Sequence, residues 1–351
     1  FNTMGAVRVG KMAKYLHELG HEVRVVSAYG QMAHGQPVPE TLPLSIDDSL
    51  VLRTPWLNLV GPLRGLGNQA DQLGGGGDGT AGERPSLGSQ IARPLRHVAA
   101  LAGVVDSSIG WYPYAVRGAR RIMRTWKPDL IYASAWPVTS LCAARAVSIG
   151  ANVPWVAELR DPWAGNPYAD DSPWLRGIAL RQERRVLGSA LGLVTVSQPW
   201  AQELRTRYGK PTAVILNGYD PEDFPSSATV PYSDGVVRIT YTGQLYAGRR
   251  DPSPLFEAMR RLGPLAAKIA VTFHGPDPRL PLQLAEAYGL QAMVQATGPV
   301  PYRDALKAQC ESDVLLLLTW NVPRERGFCS GKLFEYVGAR RPGPRHCPRR
   351  L

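Results

Sequence analysis

Cysteine is scarce in this chain. Its 351 residues hold four, Cys142, Cys310, Cys329 and Cys347, far apart and with no paired spacing. That excludes a zinc ribbon and a disulfide-stapled scaffold, and it points to a reducing compartment. Long apolar runs are also missing. The longest candidate, 98–105, is ended by Asp106 and falls short of the ~18–20 residues that span a bilayer. No signal peptide is expected. Acidic residues are in deficit, with 29 Asp and Glu against 40 Lys and Arg, for a net charge of +11. An excess of cations implies an anionic partner, such as nucleic acid, phosphates or a lipid surface, unless it is simply a solvated Arg-rich exterior. Histidine is limited to six residues. His21 follows Gly20 at an expected helix end, and His274 precedes a Gly-Pro turn, so both read as structural.

What remains is globular text. Hydrophobic residues make up 44 % and charged residues 20 %, which suits neither a disordered chain nor a coiled coil. At roughly 100–200 residues per domain, the length implies two domains. Hydrophobic periodicity predicts a helix through Ala13, Leu16 and Leu19, then a strand over 24–27. Further strands are expected over 130–133, 153–159, 192–196 and 213–216. Helices are expected over 117–126, 139–149, 178–187 and 199–208. Short apolar strands alternating with helices predict a parallel sheet covered on both faces. A second unit repeats the pattern, with strands over 236–241, 269–273, 293–296 and 314–318. Its expected helices run over 254–262, 281–288, 302–309 and 331–338.

Between the units, 217–235 holds three prolines and no period, which reads as a linker. The Gly-rich stretch 74–89 reads as a flexible loop. The domain expectation is therefore 1–216, a linker over 217–235, 236–339, and an aberrant basic tail over 340–351 that carries five arginines. A doubly wound sheet usually opens on a strand, and here a helix comes first. Both ends are accordingly expected to be truncated, leaving the second domain incomplete. Two Rossmann-like units would place a ligand beyond the carboxyl ends of their strands.

Three segments carry candidate chemistry. The turn after the strand at 236–241 contains Gly243, Gly248, Arg249 and Arg250. Its glycines allow close backbone approach, and its arginines match phosphate oxygens. It is neither a P-loop nor GxGxxG, and an exposed, solvated Arg pair is the plainer alternative. The second segment is Ser330-Gly331-Lys332-Leu333-Phe334-Glu335-Tyr336. Ser330 is a candidate helix cap, the free N–H groups and Lys332 would attract an anion, and Glu335 shares a helix face with Lys332. A carboxylate there can accept two ribose hydroxyls; the alternative is a plain surface ion pair worth ~0.3–0.5 kcal/mol. The third is Glu158-Leu159-Arg160-Asp161-Pro162-Trp163 at a strand's carboxyl end. It reads either as a substrate-facing cluster or as a capping aspartate with a structural ion pair.

These segments, taken in order, resemble a known family. Tyr208-Gly209, Val214 to Asp220 and Phe224 look like the passage leaving the first domain of the retaining glycosyltransferases of family 4, also called group 1. Thr242-Gly243, Gly248-Arg249, Gly298-Pro299-Val300-Pro301 and Gly331 to Tyr336 look like that family's donor-binding segments. Asp129 to Ser134 and Glu158 to Trp163 resemble a subgroup that acts in surface-polysaccharide synthesis. The likeness runs over about 3–339.

The resemblance implies an α/β protein of GT-B fold, with two Rossmann-like doubly wound parallel-sheet domains facing a cleft. It implies transfer from a nucleoside-diphosphate sugar to a glycan or lipid-linked acceptor, with retained anomeric configuration. Glu335 is similar to the carboxylate that holds the donor ribose. Arg249 matches the cation on the diphosphate, with Lys332 and Arg250 close by and Gly243, Ser330 and Gly331 lining the site. Val300 and Pro301 lie where the family's backbone meets the base. Arg160 and Asp161 match the place of a His-Asp or related pair beside the sugar and acceptor. This sequence departs from the pattern at Gln244, Gly327 and Arg160, where the family usually has Arg, an acid and His.

No cofactor and no metal are expected, since side chains would neutralise the diphosphate and no Asp-x-Asp pair is present. Over 93–127, seven cations stand against Asp106 alone, interleaved with Trp111, Tyr112, Tyr114 and Trp126. That mix suits an anionic lipid surface, and equally an ordinary basic helix face. The expected location is cytoplasmic, at the inner face of the plasma membrane. Nucleic acid is not expected, because no recognised module frames the basic residues. The competing readings are a sugar-nucleotide epimerase on the same plan, which would need no acceptor, and an inactive fragment.

Overall fold

The computed structural model describes residues 4–29, 32–33, 36–37, 46–57, 105–166, 172–225, 234–248, 250–319, 327 and 329–341. Its contacts divide the chain into two compact units, Phe1–Leu216 and Asn217–Leu351.

The first unit opens with helix α1 (Met4–Glu18), followed by β1 (Val25–Ala28). A two-residue hairpin, β2 (Met32–Ala33) and β3 (Gln36–Pro37), precedes β4 (Val51–Thr54). β4 pairs in parallel with β1 and was not foreseen, because Val51-Leu52-Arg53-Thr54 is too short to show a period. The helix expected over 117–126 is α2 (Tyr112–Ile122), one turn earlier, with Pro113 in its first turn. Pro is well tolerated there because its missing N–H would have no partner anyway. Four strands follow: β5 (Ile131–Ala135), β6 (Trp155–Leu159), β7 (Gly192–Thr195) and β8 (Thr212–Val214). They form a parallel sheet in the order β5-β6-β7-β8. The crossovers are α3 (Thr139–Ala151), α4 (Pro173–Leu187) and α5 (Gln198–Tyr208).

Asp106 reaches across to the start of α3, accepting from the Thr139 N–H at 2.9 Å and its hydroxyl at 2.6 Å. Leu141, Trp155, Leu159, Leu187 and Leu193 are packed in the core between sheet and helices. Each such side chain contributes about 1.5–3 kcal/mol on burial.

The second unit contains β9 (Val237–Thr242), β10 (Ile269–His274), β11 (Val294–Ala296) and β12 (Val314–Leu315), all parallel. Its helices are α6 (Ser253–Leu262), α7 (Arg279–Ala287), α8 (Tyr302–Glu311) and α9 (Gly331–Gly338). Phe256, Met259, Val271, Phe273 and Leu290 form its core. The strand order is β11-β10-β9-β12. The chain steps outward twice from β9, then returns to β9's other edge as β12. The strand order therefore reverses between β9 and β12, the topological switch point at which open α/β sheets bind ligands.

Part of the expected linker is structured. Pro221–Asp223 forms a 3-10 turn capped by Asp220. Phe224 meets Tyr219 edge-to-face at 5.7 Å and packs with Leu315, Tyr336 and Ala339. Gly338 makes room for this contact, since a Cβ there would lie 2.4 Å from the Phe224 ring. The Gly-rich stretch 74–89 and the tail over 342–351 lie outside the described residues.

Candidate functional site

The second unit's site is built on the switch point. β9 ends at Thr242, and Gly243 turns the chain with φ at +119°, a conformation that excludes most side chains. Its N–H donates to the His274 carbonyl at 2.6 Å, and the Gly275 N–H donates to the Gly298 carbonyl at 3.1 Å. The ends of three neighbouring strands are thereby laced together. Lys332, in the first turn of α9, enters the space above Gly243. A Cβ on that glycine would lie 2.5 Å from Lys332 Cε and 2.8 Å from its Nζ. The ammonium stands 5.1 Å from the centre of the Tyr241 ring, a cation–π contact.

Electrostatics mark this lysine. Burial, with the Arg250 guanidinium beside it, pushes its pKa down to about 8. Among the described residues, no carboxylate lies within 4 Å of its nitrogen. A half-buried ammonium beside a guanidinium, with the Glu335 carboxylate acting on it only from beyond ion-pair distance, is suited to receive an anion. Arg250 is held by a backbone exchange with Tyr246, at 2.9 and 3.1 Å, and lies over the Tyr246 ring.

Glu335, one turn along α9, is buried. Burial raises its pKa, while the Gln309 hydrogen bond and Lys332 oppose the rise. The plain surface ion pair is excluded: Glu335 is not on the surface, and Lys332 makes no salt bridge with it. Ser330 occupies the N-cap position of α9, but its side chain makes no cap hydrogen bond. The expected cap is absent, and the helix's first N–H groups are left to other acceptors. Asn217 donates to the Cys329 carbonyl at 3.0 Å and steadies this approach to the helix. Val300 is half-buried and Pro301 exposed, in the turn between β11 and α8. Arg249 lies outside the described residues. The structure thus brings Gly243, Arg250, Lys332 and Glu335 together, with Ser330 and Gly331 at the helix start.

In the first unit, Arg160 and Asp161 follow β6. Arg160 is turned onto the end of β5, its Nε donating to the Ala135 carbonyl at 2.7 Å and its Nη2 to the Trp136 carbonyl at 2.8 Å. Burial lowers its pKa, against the pull of Glu158 and Asp161. Arg160 is thus structurally engaged, and no described helix starts at Asp161 for it to cap. Behind them, Glu158 is fully buried and pairs with Arg8 at 2.8 Å. Arg8 also donates to the carbonyls of Ile215 and Leu216, both at 2.7 Å. Glu183, likewise buried, accepts from the Ala164 N–H at 2.5 Å and from Arg207 at 2.9 Å, which fixes the loop after Asp161.

Sequence reading missed Arg8, Glu183 and Gln309. Nothing local distinguishes Arg8 or Glu183 from surface charges. Gln309 did carry a signal, since it stands one turn from the buried Leu306 on the core face of α8. Among the described residues, no three His, Cys, Asp or Glu converge as metal ligands, and no helix is long and apolar enough to cross a membrane.

Comparison with known proteins identifies what this plan is similar to. A family model described as a glycosyl transferase 4-like domain matches residues 5–219, well over half of the chain. A sucrose-phosphate synthase from Thermosynechococcus elongatus aligns over 92 % of this chain and 80 % of its own, at 14 % identity and a TM-score of 0.51. A glycosyltransferase from Rickettsia africae aligns over 97 % of this chain and 75 % of its own, at 13 % identity and a TM-score of 0.52. At such identities the likeness is one of fold, the Rossmann-like α/β plan of GT-B glycosyltransferases. No match by sequence was found among curated proteins.

Proposed function

The chain belongs to the glycosyl transferase 4-like family and is a glycosyltransferase; from that premise we propose that it moves a sugar, with retention, from a nucleoside-diphosphate sugar to a glycan or lipid-linked acceptor in cell-surface polysaccharide or glycolipid synthesis. The observation that carries this reading is the convergence of Gly243, Arg250, Lys332 and Glu335 at the β9/β12 switch point. That geometry matches a nucleoside diphosphate in three respects. The Gly243 turn, lacking a side chain, leaves the room through which Lys332 reaches the diphosphate. Lys332 and Arg250 meet its charge, and Glu335 accepts ribose hydroxyls.

In the transfer, negative charge grows on the departing diphosphate as the glycosidic bond breaks. Preorganised cations and N–H groups lower that barrier, one such donor typically supplying ~2.7–4 kcal/mol. Lys332, Arg250 and the uncapped start of α9 fill this role, and Arg249 joins them by family resemblance. On this reading, side chains neutralise the diphosphate and no metal takes part. Arg160 acts by shaping the end of β5, and Asp161 is assigned to the sugar and acceptor by family resemblance.

We further propose a cytoplasmic location with peripheral contact to anionic lipid. Arg117, Arg121 and Arg124 are exposed along one side of α2 and its end. The two tryptophans of this segment are engaged within the protein: the Trp111 indole donates to Thr54 at 2.8 Å, and Trp126 lies under Arg24. The contact would therefore be electrostatic.

The test of the donor site is a thermal-shift panel with UDP, GDP, ADP and dTDP, with and without magnesium. A ligand at 100 times its Kd adds about 2.7 kcal/mol of stability. A selective, magnesium-independent shift that disappears in Glu335→Ala is expected. A flat response to every nucleotide sinks the reading.

A further inference from the structure

Gln309 lies in α8, outside the segments that form the candidate donor site, yet it touches both of them. Its side chain is fully buried. Its amide Nε2 donates to Thr242 Oγ1 at 2.8 Å and to Glu335 Oε2 at 3.0 Å. Thr242 is the residue before Gly243, and Glu335 is the carboxylate of α9. One amide therefore ties the end of β9 to the helix that crosses the switch point. The other end of the same amide, Oε1, is buried without a hydrogen-bond partner. A buried acceptor left unmade is costly, so packing alone does not account for a glutamine here; a leucine would fill the volume without that cost.

We propose that Gln309 is a positioning residue for ribose recognition: its amide aims the Glu335 carboxylate and holds it in the ionised form that accepts two sugar hydroxyls. The inference rests on the donor-site reading above. An amide N–H donates to a carboxylate and gains more from it when it is charged. The second N–H, anchored on Thr242, fixes the direction from which the first one comes. Glu335 has Oε2 occupied by Gln309, and on this proposal its other oxygen is left to the ribose. Without Gln309, burial favours a protonated carboxyl group, which offers one acceptor fewer and an O–H that competes for the same space.

The experiment measures, by calorimetry, binding of the member of the UDP, GDP and ADP panel that binds best, alongside its analogue lacking the ribose hydroxyls. The whole chain is used. Wild type should favour the hydroxylated ligand by at least about ten-fold, the scale of one hydrogen bond to a charged group. Glu335→Gln should collapse that preference. Gln309→Leu should also collapse it, while leaving affinity for the hydroxyl-free analogue unchanged, and the double variant should lose nothing more.

Retained binding of the analogue shows that the variant is folded. Should Gln309→Leu fail to fold, Thr242→Val removes the anchor of the amide and should give the same selective loss in smaller measure. A preference that survives Gln309→Leu or Thr242→Val but not Glu335→Gln overturns the role of Gln309. An equal loss for both ligands reduces Gln309 to a packing residue. A preference untouched by Glu335→Gln, or absent from wild type, overturns the donor-site reading itself.

Discussion

Gly243 and Lys332 fill one space between them. Any side chain at 243 meets the lysine stem, 2.5 Å away, and the positive φ adds a backbone cost of about 1–3 kcal/mol. Gly243→Ala is therefore expected to lower stability by that amount in urea denaturation. It should also weaken nucleoside-diphosphate binding about ten-fold by displacing the ammonium. Lys332 gives a pH signature as well. Its pKa of about 8 lies below the ~10.4 of an unfolded lysine. Between these values the unfolded chain holds more protons, so this group's contribution to ligand-free stability rises with pH across that window. Diphosphate affinity should move the other way, falling as pH passes through 8, and Lys332→Met should flatten both profiles. Calorimetry and thermal melts over pH 7–10 check the pair. At this scale a motif singled out Gly243, Lys332 and Glu335 in the sequence, and the structure places them together. The sequence was illegible where a role depends on a distant partner. Arg160 offers its charge to carbonyls of another strand, and Ser330 sits at a cap position without making the bond.

Among the elements, α1 and the end of the first unit are joined by one side chain. Arg8 binds Glu158 in β6 and the carbonyls of Ile215 and Leu216. Truncating it strips a fully buried carboxylate of its salt bridge, a loss of ~3–5 kcal/mol that Tyr132 and the Arg160 charge offset in part. Arg8→Ala should thus shift the urea midpoint strongly with an unchanged slope. Adding Glu158→Gln should recover part of the loss, since the stranded charge is then gone. The alternation of strands and helices was readable because apolar strands here are flanked by strong helix signals. Tyr208-Gly209 shows this well: Gly209 ends α5 with φ at +62°. β12 was read too long, because Leu316 to Leu318 are apolar but only Val314–Leu315 are strand. The extra apolar residues pack against the core, and only the Leu316 N–H, donating to the Thr240 carbonyl at 2.9 Å, carries the pairing with β9 a step further. The helix at 112–122 was placed late because its first turn is aromatic and Pro-bearing, whereas the period becomes regular only after Arg117.

For the molecule as a whole, each unit has its own core, and the division falls between Leu216 and Asn217. The proline-rich break in the text marked this region, but not that 217–225 would dock on α9. That docking depends on Phe224, Tyr219 and Gly338 coming together, a contact spanning more than 100 residues of chain. The net charge of +11 bears on partners at this scale. If the exposed arginines of α2 meet lipid, co-sedimentation with vesicles should require anionic headgroups and fall as salt rises. The triple variant Arg117→Gln, Arg121→Gln, Arg124→Gln should abolish it while leaving soluble donor hydrolysis unchanged. Retention by neutral vesicles would contradict an electrostatic contact.

The reversal of strand order at β9 also sets a timetable. β9 and the Gly243 turn leave the ribosome long before β12 and α9, and domains fold as their segments emerge. Lys332 and Glu335 reach the site only after β10, β11 and the helices between them have been made. Over the roughly 90 residues between the Gly243 turn and Lys332, a nascent chain holds only half of the proposed binding site. On the proposed reading, capture of a nucleotide becomes possible in the same step that presses α9 against Phe224.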